Sequence, residues 1–335
     1  MPDNLKKRCT DLIESLGLGQ ASDVSEVTPL TGGVASDIAR VVVGGKSYCV
    51  KFALEKLRVA ADWHAPVHRS HAEYAWLSVA GRVAPGSVPE LHGYSEAVHG
   101  FAMSFVAGAD VRLWKTSLLN GDQVRNEAAR VADVLGRVHA AGAATDFDRS
   151  AFDNGTDFHA IRVEPYLLFT AQHHPSVAPR LLQLAGSLDA ARTTLVHGDV
   201  SPKNILFRSD QPILLDAECA SMGDPCFDVA FCLNHLILKS AHLAESRARL
   251  LGSVLEFWQA YAPHVGWEDP TALEARTAAL LPALMLARID GKSPVEYLSE
   301  PERAWVRAKA LTLLKHPEAN LGDVVSKLSA NGINS

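Results

Sequence analysis

Between two apolar runs, residues 197–207 read HGDVSPKNILF. Asp199 and Asn204 are separated by four residues on a loop, and Asp216 closes the later run PILLD, with Glu218 two positions on. An amide oxygen and a carboxylate are hard ligands. They suit Mg2+, which takes one or two protein oxygens and completes its shell with phosphate and water. Asp199 is then left to orient a substrate hydroxyl and accept its proton. The spacing is that of a phosphoryl-transfer loop, H-R-D-L-x-x-x-N followed by a metal-binding aspartate, with Gly198 in place of the arginine and DAE in place of DFG. An HGD triplet alone is as well read as a polar turn; the three residues together point to chemistry.

Phosphoryl transfer also needs a cation on the nucleotide phosphates and an acid to hold that cation. In YCVKFA, strand alternation puts Lys51 on the face of Cys49, an odd place for a charge without a partner. Lys203, in the loop itself, yields the phosphate role to Lys51. Glu73, in SHAEYAWL, is a fitting partner, as in the Lys–Glu pair of kinases. Asp37 and the nearby histidines are alternatives, and an exposed strand lysine needs no pair at all. In PLTGGVASDIARV, Gly32 and Gly33 let a backbone turn approach phosphates and Ser36 can donate to them. That segment is neither G-x-G-x-x-G nor a Walker A loop, and it suits an ordinary hairpin turn as well. The stretch AMSFVAG, with Ser104 and Val106, offers backbone groups to an adenine edge.

Two kinds of element must position these residues. Residues 1–18 have helical spacing, with Leu5, Cys9, Leu12 and Leu16 on one face. DIARVVVGGKSYCVKFA is a β-hairpin pattern turning at Gly44-Gly45. A helix is expected over residues 70–80, then two strands in SVPELHGYSEAVHGFAMSFV. Beyond Gly108 the pattern is mostly helical. Residues 120–141 form one amphipathic helix with Val124, Ala128, Val131, Leu135 and Val138 on a face and Gly142 at its end. Further helices are expected over 224–240, 244–262, 270–289 and 300–315. The expected architecture is α+β: a small β-rich N-lobe over residues 1–105, a larger helical C-lobe over 106–335, and a ligand cleft between them.

The 335 residues, 47% hydrophobic, suffice for a large core and more than one lobe. A formal net charge of −6 with no basic stripe argues against a nucleic-acid partner. Five cysteines, an odd number with no CxxC pair, suit a reducing compartment. The N-terminal MPDNLKKRCTDLIESLG has no apolar core of a secretory signal, and the longest apolar run, ALLPALMLA, is far below bilayer length. A cytoplasmic protein without a membrane partner is expected.

On LVHGDVSPKNILF and ILLDAECASMGDPCFDVAF, preceded by LGRVHAAG, the chain resembles the aminoglycoside phosphotransferase and choline kinase-like family over about residues 27–289. These are small-molecule kinases with a two-lobed protein-kinase-like fold. The resemblance implies ATP as phosphoryl donor, with GTP the alternative, and Mg2+. It implies Asp199 as catalytic base or hydroxyl-orienting residue, Asn204 and Asp216 at the metal, and Lys51, paired with Glu73, on the α- and β-phosphates. Ser104 carbonyl and Val106 amide would meet the adenine, His197 would brace the loop, and Asp228 would tie the loop to the next helix. Two departures matter. Ser201 stands where a protein kinase carries a lysine. Only five residues separate Glu218 from Asp224, which leaves no room for an activation loop. The expected acceptor is therefore a small hydroxylated molecule: an aminoglycoside, an amino alcohol or a sugar.

Aminoglycosides are polycations and want an acidic pocket, whereas the helical lobe is only modestly acidic. AECASMGDPCFD also resembles the methylthioribose kinase branch, in which a sugar hydroxyl is phosphorylated. Candidate acceptor contacts are Glu218, Asn234, His235, Arg288 and Asp290. Arg288 and Asp290 equally suit a charged helix end stopped by Gly291, and Asn234 and His235 suit polar packing. Rival readings are a nucleotide-binding pseudokinase and a structural α+β protein.

Overall fold

The structure is a computed structural model describing residues 3–30, 36–54, 69–122 and 126–330. The first helix, α1 (Asp3–Ser15), packs on one face of an antiparallel sheet. The strands are β1 (Val24–Pro29), β2 (Ser36–Val43), β3 (Lys46–Ala53), β4 (Leu91–Ser95) and β5 (Gly100–Ser104), in the order β1-β2-β3-β5-β4. Helix α2 (Arg69–Val83) joins β3 to β4 in the chain. The β2–β3 turn holds Gly44 at φ 54° and Gly45 at φ 80°. Such a two-residue turn needs positive φ at both positions, which glycine adopts without a Cβ clash. Alternation along β3 splits its side chains between two cores. Tyr48, Val50 and Phe52 pack with Leu5, Cys9 and Leu12 of α1, while Cys49 joins the larger core with Trp76 of α2.

After β5 the chain makes β6 (Val111–Leu113), α3 (Trp114–Leu119), α4 (Glu127–Gly142) and α5 (Gly155–Phe158). A wide π-helical stretch follows (His159–Leu168, with Pro165 inside), then α6 (Phe169–His173) and α7 (Ala178–Ala190). Short strands carry the polar loop: β7 (Thr194–Val196), β8 (Ile205–Arg208), β9 (Gln211–Leu214) and β10 (Ser221–Gly223), paired as β10-β7 and β6-β8-β9. Helices α8 (Cys226–His242), α9 (Arg247–Tyr261), α10 (Pro270–Asp290), α11 (Glu300–Lys315) and α12 (Leu321–Ser329) complete the C-lobe. Every residue of α8 from Cys226 to Ala241 is buried, and α9 and α10 pack against it. No helix among the described residues is long and apolar enough to cross a membrane.

The helix expected over residues 120–141 begins later: only α4 (Glu127–Gly142) falls in that span, and α3 ends at Leu119 before it. Gly121, at φ 70°, lies just beyond the end of α3 and stops it there; Asn126, at φ 56°, precedes α4. Ala128, Val131, Leu135 and Val138 are all buried on α4, as expected, and Val124 lies outside the described residues.

At the far end of α4, Gly142 touches β7. A Cβ there would lie 2.5 Å from the Leu195 amide nitrogen and 2.6 Å from the Leu195 Cβ. Backbone on both sides cannot yield cheaply, so Gly142→Ala is expected to lose about 1–3 kcal/mol of stability. Urea denaturation checks this, and a midpoint equal to that of the parent protein would contradict the close approach.

Candidate active site

Strand β7 delivers the chain into the polar loop, and a buried carboxylate receives it. Asp228, in the first turn of α8 and fully buried, accepts the backbone N–H of His197 at 2.6 Å and of Gly198 at 2.8 Å. His139 Nε2 lies 3.2 Å from the same carboxylate, and its Nδ1 meets the Tyr261 hydroxyl at 2.7 Å. Gly198 has φ 77°, and a Cβ there would sit 2.6 Å from Cys219 Cβ and 2.8 Å from Cys219 carbonyl oxygen. This is why glycine fills the position. His197 Nδ1 accepts the Asp199 N–H at 3.1 Å, which leaves Nε2 to donate to Leu215 carbonyl oxygen at 3.1 Å. Burial pushes the His197 pKa down, so the neutral ring makes both bonds.

Asp199 is buried between two cations. Arg162 Nη2 lies 3.0 Å from its Oδ2 and Lys203 Nζ 3.1 Å. Arg162 rises from the π-helical stretch and is itself buried; its Nε donates to Gly198 carbonyl oxygen and its Nη1 to Ile161 carbonyl oxygen at 3.0 Å. Burial pushes the Asp199 carboxyl up, but the Lys203 and Arg162 charges outweigh it and hold the pKa below the ordinary aspartate value. Asp199 is thus an anion and a hydrogen-bond acceptor at neutral pH.

A second charge cluster centres on Lys51 of β3. Lys51 Nζ sits 2.8 Å from Glu73 Oε1 and also contacts Asp216. Asp37 is turned to the other side of the sheet, where Arg8 holds it at 2.8 Å. Glu218 is paired with Arg69 at 3.2 Å, and Arg69 also donates to Leu54 carbonyl oxygen. The three carboxylates respond differently to these surroundings. Burial lifts Glu73 to about 7 despite Lys51. Burial and neighbouring Asp216 push Glu218 up. Asp216 is desolvated too, yet Lys51 and Lys203 hold it well below the ordinary range. Asp216 also has φ 67°, a conformation that costs a non-glycine residue energy and clusters at functional sites.

Lys51, Glu73, Asp216 and Lys203 line a cavity of about 270 Å3, whose apolar walls include Leu30, Ile38, Met103, Phe105 and Leu206. Asn204 lines it; its Nδ2 donates to Asp199 carbonyl oxygen at 3.1 Å. Ser104 and Val106 line the opposite end. The N–H groups of Ser104 and Phe105 are spent on Glu90 and Ser47 carbonyl oxygens. The N–H of Val106 has no such partner among the described residues. Ser36 opens β2 opposite Ala53 and is buried; Gly32 and Gly33 lie outside the described residues.

The remaining candidates sit further along the C-lobe. His235 lies on α8 with its ring 5.3 Å from that of Phe231, and Asn234 is fully buried with neither amide atom bonded among the described residues. Arg288 donates to Tyr166 hydroxyl at 3.4 Å and Ser293 hydroxyl at 2.9 Å. Asp290 is committed elsewhere: Arg307 grips it at 2.7 Å through two nitrogens and His174 at 2.8 Å. Two residues at the centre of the site, Arg162 and Arg69, belong to no motif. For Arg162 the signal is an arginine between Ile161 and Val163, since charged side chains enter apolar surroundings only when paired.

The model of the phosphotransferase enzyme family matches residues 26–264. The chain belongs to this family, and by class it is a small-molecule kinase. Among solved structures it is similar to a choline/ethanolamine kinase family protein from Mesorhizobium loti, with 15% identity, coverage of 98% of this chain and 99% of that one, and a TM-score of 0.59. It is also similar to an amicoumacin kinase solved with AMP-PNP, Ca2+ and its ligand, with 14% identity, coverage of 96% and 98%, and a TM-score of 0.59. A choline kinase from Streptococcus pneumoniae follows, with 15% identity, coverage of 98% and 100%, and a TM-score of 0.50. These likenesses establish the two-lobed kinase-like fold. No curated protein matches the chain.

The loop clamp gives a direct test. In Asp228→Asn one oxygen acceptor becomes a donor, and a buried backbone N–H of His197 or Gly198 loses its partner. Loss of about 1–3 kcal/mol is expected, read as a lower urea midpoint. An unchanged midpoint would show that the loop does not depend on this carboxylate.

Proposed function

We propose that the protein transfers the γ-phosphoryl group of ATP, with GTP the alternative donor, to a hydroxyl group of a small molecule. The observation that carries this reading is the placement of Asp199, an anionic carboxylate beside a cavity whose polar end holds Lys51, Asn204 and Asp216. On this reading the nucleotide lies in that cavity. Its base is sandwiched by Ile38, Met103 and Leu206 and meets Ser104 and Val106, and its phosphates approach Lys51, which Glu73 holds in place. Ser36 is assigned to the phosphates as a donor, together with Gly32 and Gly33, which lie outside the described residues. The division of labour falls near residue 105, with nucleotide contacts mainly before it and the acceptor site after it.

Asn204 and Asp216 fit Mg2+. The Asn204 Nδ2 is committed to Asp199 carbonyl oxygen, so its Oδ1 is the end left for a cation. Among the described residues no group of three acidic, histidine or cysteine side chains forms a closed metal cage. That suits an ion which draws most of its shell from phosphate and water. When bound, the ion would neutralise negative charge on the phosphate oxygens.

Asp199 accepts a hydrogen bond from the acceptor hydroxyl and aims its oxygen at the γ-phosphorus. The new O–P bond forms as the bond to the β-phosphate oxygen breaks, nucleoside diphosphate leaves, and the hydroxyl proton passes through Asp199 to solvent. Because the Asp199 pKa is depressed, it is a weak base, and alignment and charge stabilisation carry the reaction. We place the protein in the cytoplasm, without nucleic acid or membrane as partner. The burial of all five cysteines as free thiols supports a reducing compartment.

Two variants separate the roles. Asp199→Asn should cut kcat by about 10²–10⁴-fold while ATP with Mg2+ still raises the melting temperature. Asp216→Ala should lose the Mg2+-dependent part of that rise. Coupled ADP release and thermal shift are the measurements. Near-parental turnover in the first variant, or an unchanged Mg2+ response in the second, would reject these assignments.

A further inference from the structure

We propose that the acceptor is an anion: its carboxylate or phosphate group binds to Lys239, Arg288 and His235, in the C-lobe beyond Asp199. The inference rests on the phosphotransfer reading above and names the acceptor's charge. Phe231, His235 and Lys239 are spaced four residues apart on α8 and share a face. That face begins at the catalytic carboxylate. The Arg162 guanidinium, 3.0 Å from Asp199, lies 5.8 Å from the Phe231 ring centre, and the His235 ring is the next along. Lys239 follows; it is 1% exposed, and its ammonium lies 5.1 Å from the Tyr297 ring centre.

Among the described residues, no carboxylate lies within 4 Å of the Lys239 ammonium, and it makes no hydrogen bond. Arg288, reaching in from α10, has only neutral hydrogen-bond partners, and its Nε is buried and unbonded. Tyr297 hydroxyl and both amide atoms of Asn234 are likewise buried and unbonded. The carboxylates of the neighbourhood are already taken. Asp199 is held by Arg162 and Lys203, Glu296 by Lys115, Glu164 by Lys292, and Asp290 by Arg307 and His174.

A buried basic group without a counter-ion is costly to keep charged, and basic side chains that converge with unbonded donors are arranged for a ligand of opposite charge. Burial, with Lys115 and Arg288 close by, pushes Lys239 down to about 7. Burial and the same basic neighbourhood push His235 well below its ordinary value. An arriving anion reverses both shifts. A polycationic aminoglycoside or a quaternary ammonium alcohol would meet repulsion here, and a neutral polyol would leave Lys239 unpaired.

The test uses the full chain and matched acceptors. Glycerate and erythronate carry a carboxylate, glycerol 3-phosphate and ribose 5-phosphate carry a phosphate, glycerol and ribose are neutral, and choline and kanamycin are cationic. ADP release and thermal shift in the presence of AMP-PNP and Mg2+ are recorded for each. At least one anion is expected to raise the melting temperature, and turnover is expected among anions only. The carboxylate and phosphate arms show which group the site takes.

In Lys239→Met the anion-induced shift should vanish and the KM for the accepted anion should rise by about tenfold or more. kcat and the shift caused by ATP with Mg2+ should change little, and Lys239→Arg should recover part of the affinity. If Lys239→Met fails to fold, Arg288→Met and the parental anion panel decide the matter. Absence of stabilisation by every anion, better turnover of a neutral or cationic acceptor, or an unchanged KM in the folded variant overturns the proposal. Loss of the ATP–Mg2+ shift in the parent protein would instead strike the phosphotransfer reading itself.

Discussion

The site depends on one buried carboxylate. Asp228 has no exposure to water, so its charge is tolerable only if its oxygens are filled by donors. The donors it receives are the consecutive amides of His197 and Gly198, with His139 adjoining. His139 comes from α4 and is held in turn by Tyr261 of α9. A single acidic group thereby ties three helices to the loop between β7 and β8. A network of this kind is stiff when fully satisfied. The direction of Asp199 follows from it, because the two residues before Asp199 are held by their amides.

Charge is distributed unevenly along the molecule. Around Lys51 three carboxylates gather among the described residues, Glu73 from α2 and Asp216 and Glu218 from the segment after β9. Further into the C-lobe the balance reverses, and Lys239 and Arg288 have no acidic partner among the described residues. Asp199 lies between the two regions and is itself gripped by cations. On the proposed reading, the acidic end suits phosphates that arrive with their own divalent ion, and the basic end suits an acceptor that brings its own negative charge. On that reading both regions give up stability to hold charges ready for ligands, as is common at functional sites.

Much of this was legible in the residues alone. The polar loop between apolar runs, the glycine turn of the β2–β3 hairpin and the alternation that sets Cys49 and Lys51 against Val50 and Phe52 are local patterns with period two or a fixed turn chemistry. They depend on neighbours in the chain, and the chain displays them. The start of α4 at Glu127 rather than near residue 120 was not legible, because it follows from left-handed backbone at Gly121 and Asn126, while the apolar spacing runs on toward residue 120. Nothing in the periodicity distinguishes that glycine from one inside a helix.

The sequence by itself determined the two-lobed layout and the types of group available for chemistry: a carboxylate, an amide and a second carboxylate at fixed spacing, with a strand lysine ahead of them. Only the tertiary structure decided which partners those groups meet. Arg162 and Arg69 reach the centre from segments with no motif, Glu73 rather than Asp37 holds Lys51, and Asp290 is committed to Arg307 while Arg288 has only neutral hydrogen-bond partners. The reason is physical. Local patterns are set by backbone geometry and hydrophobic period, whereas the strength of a charge depends on burial and on residues far away in the chain. Those are fixed only when the helices pack.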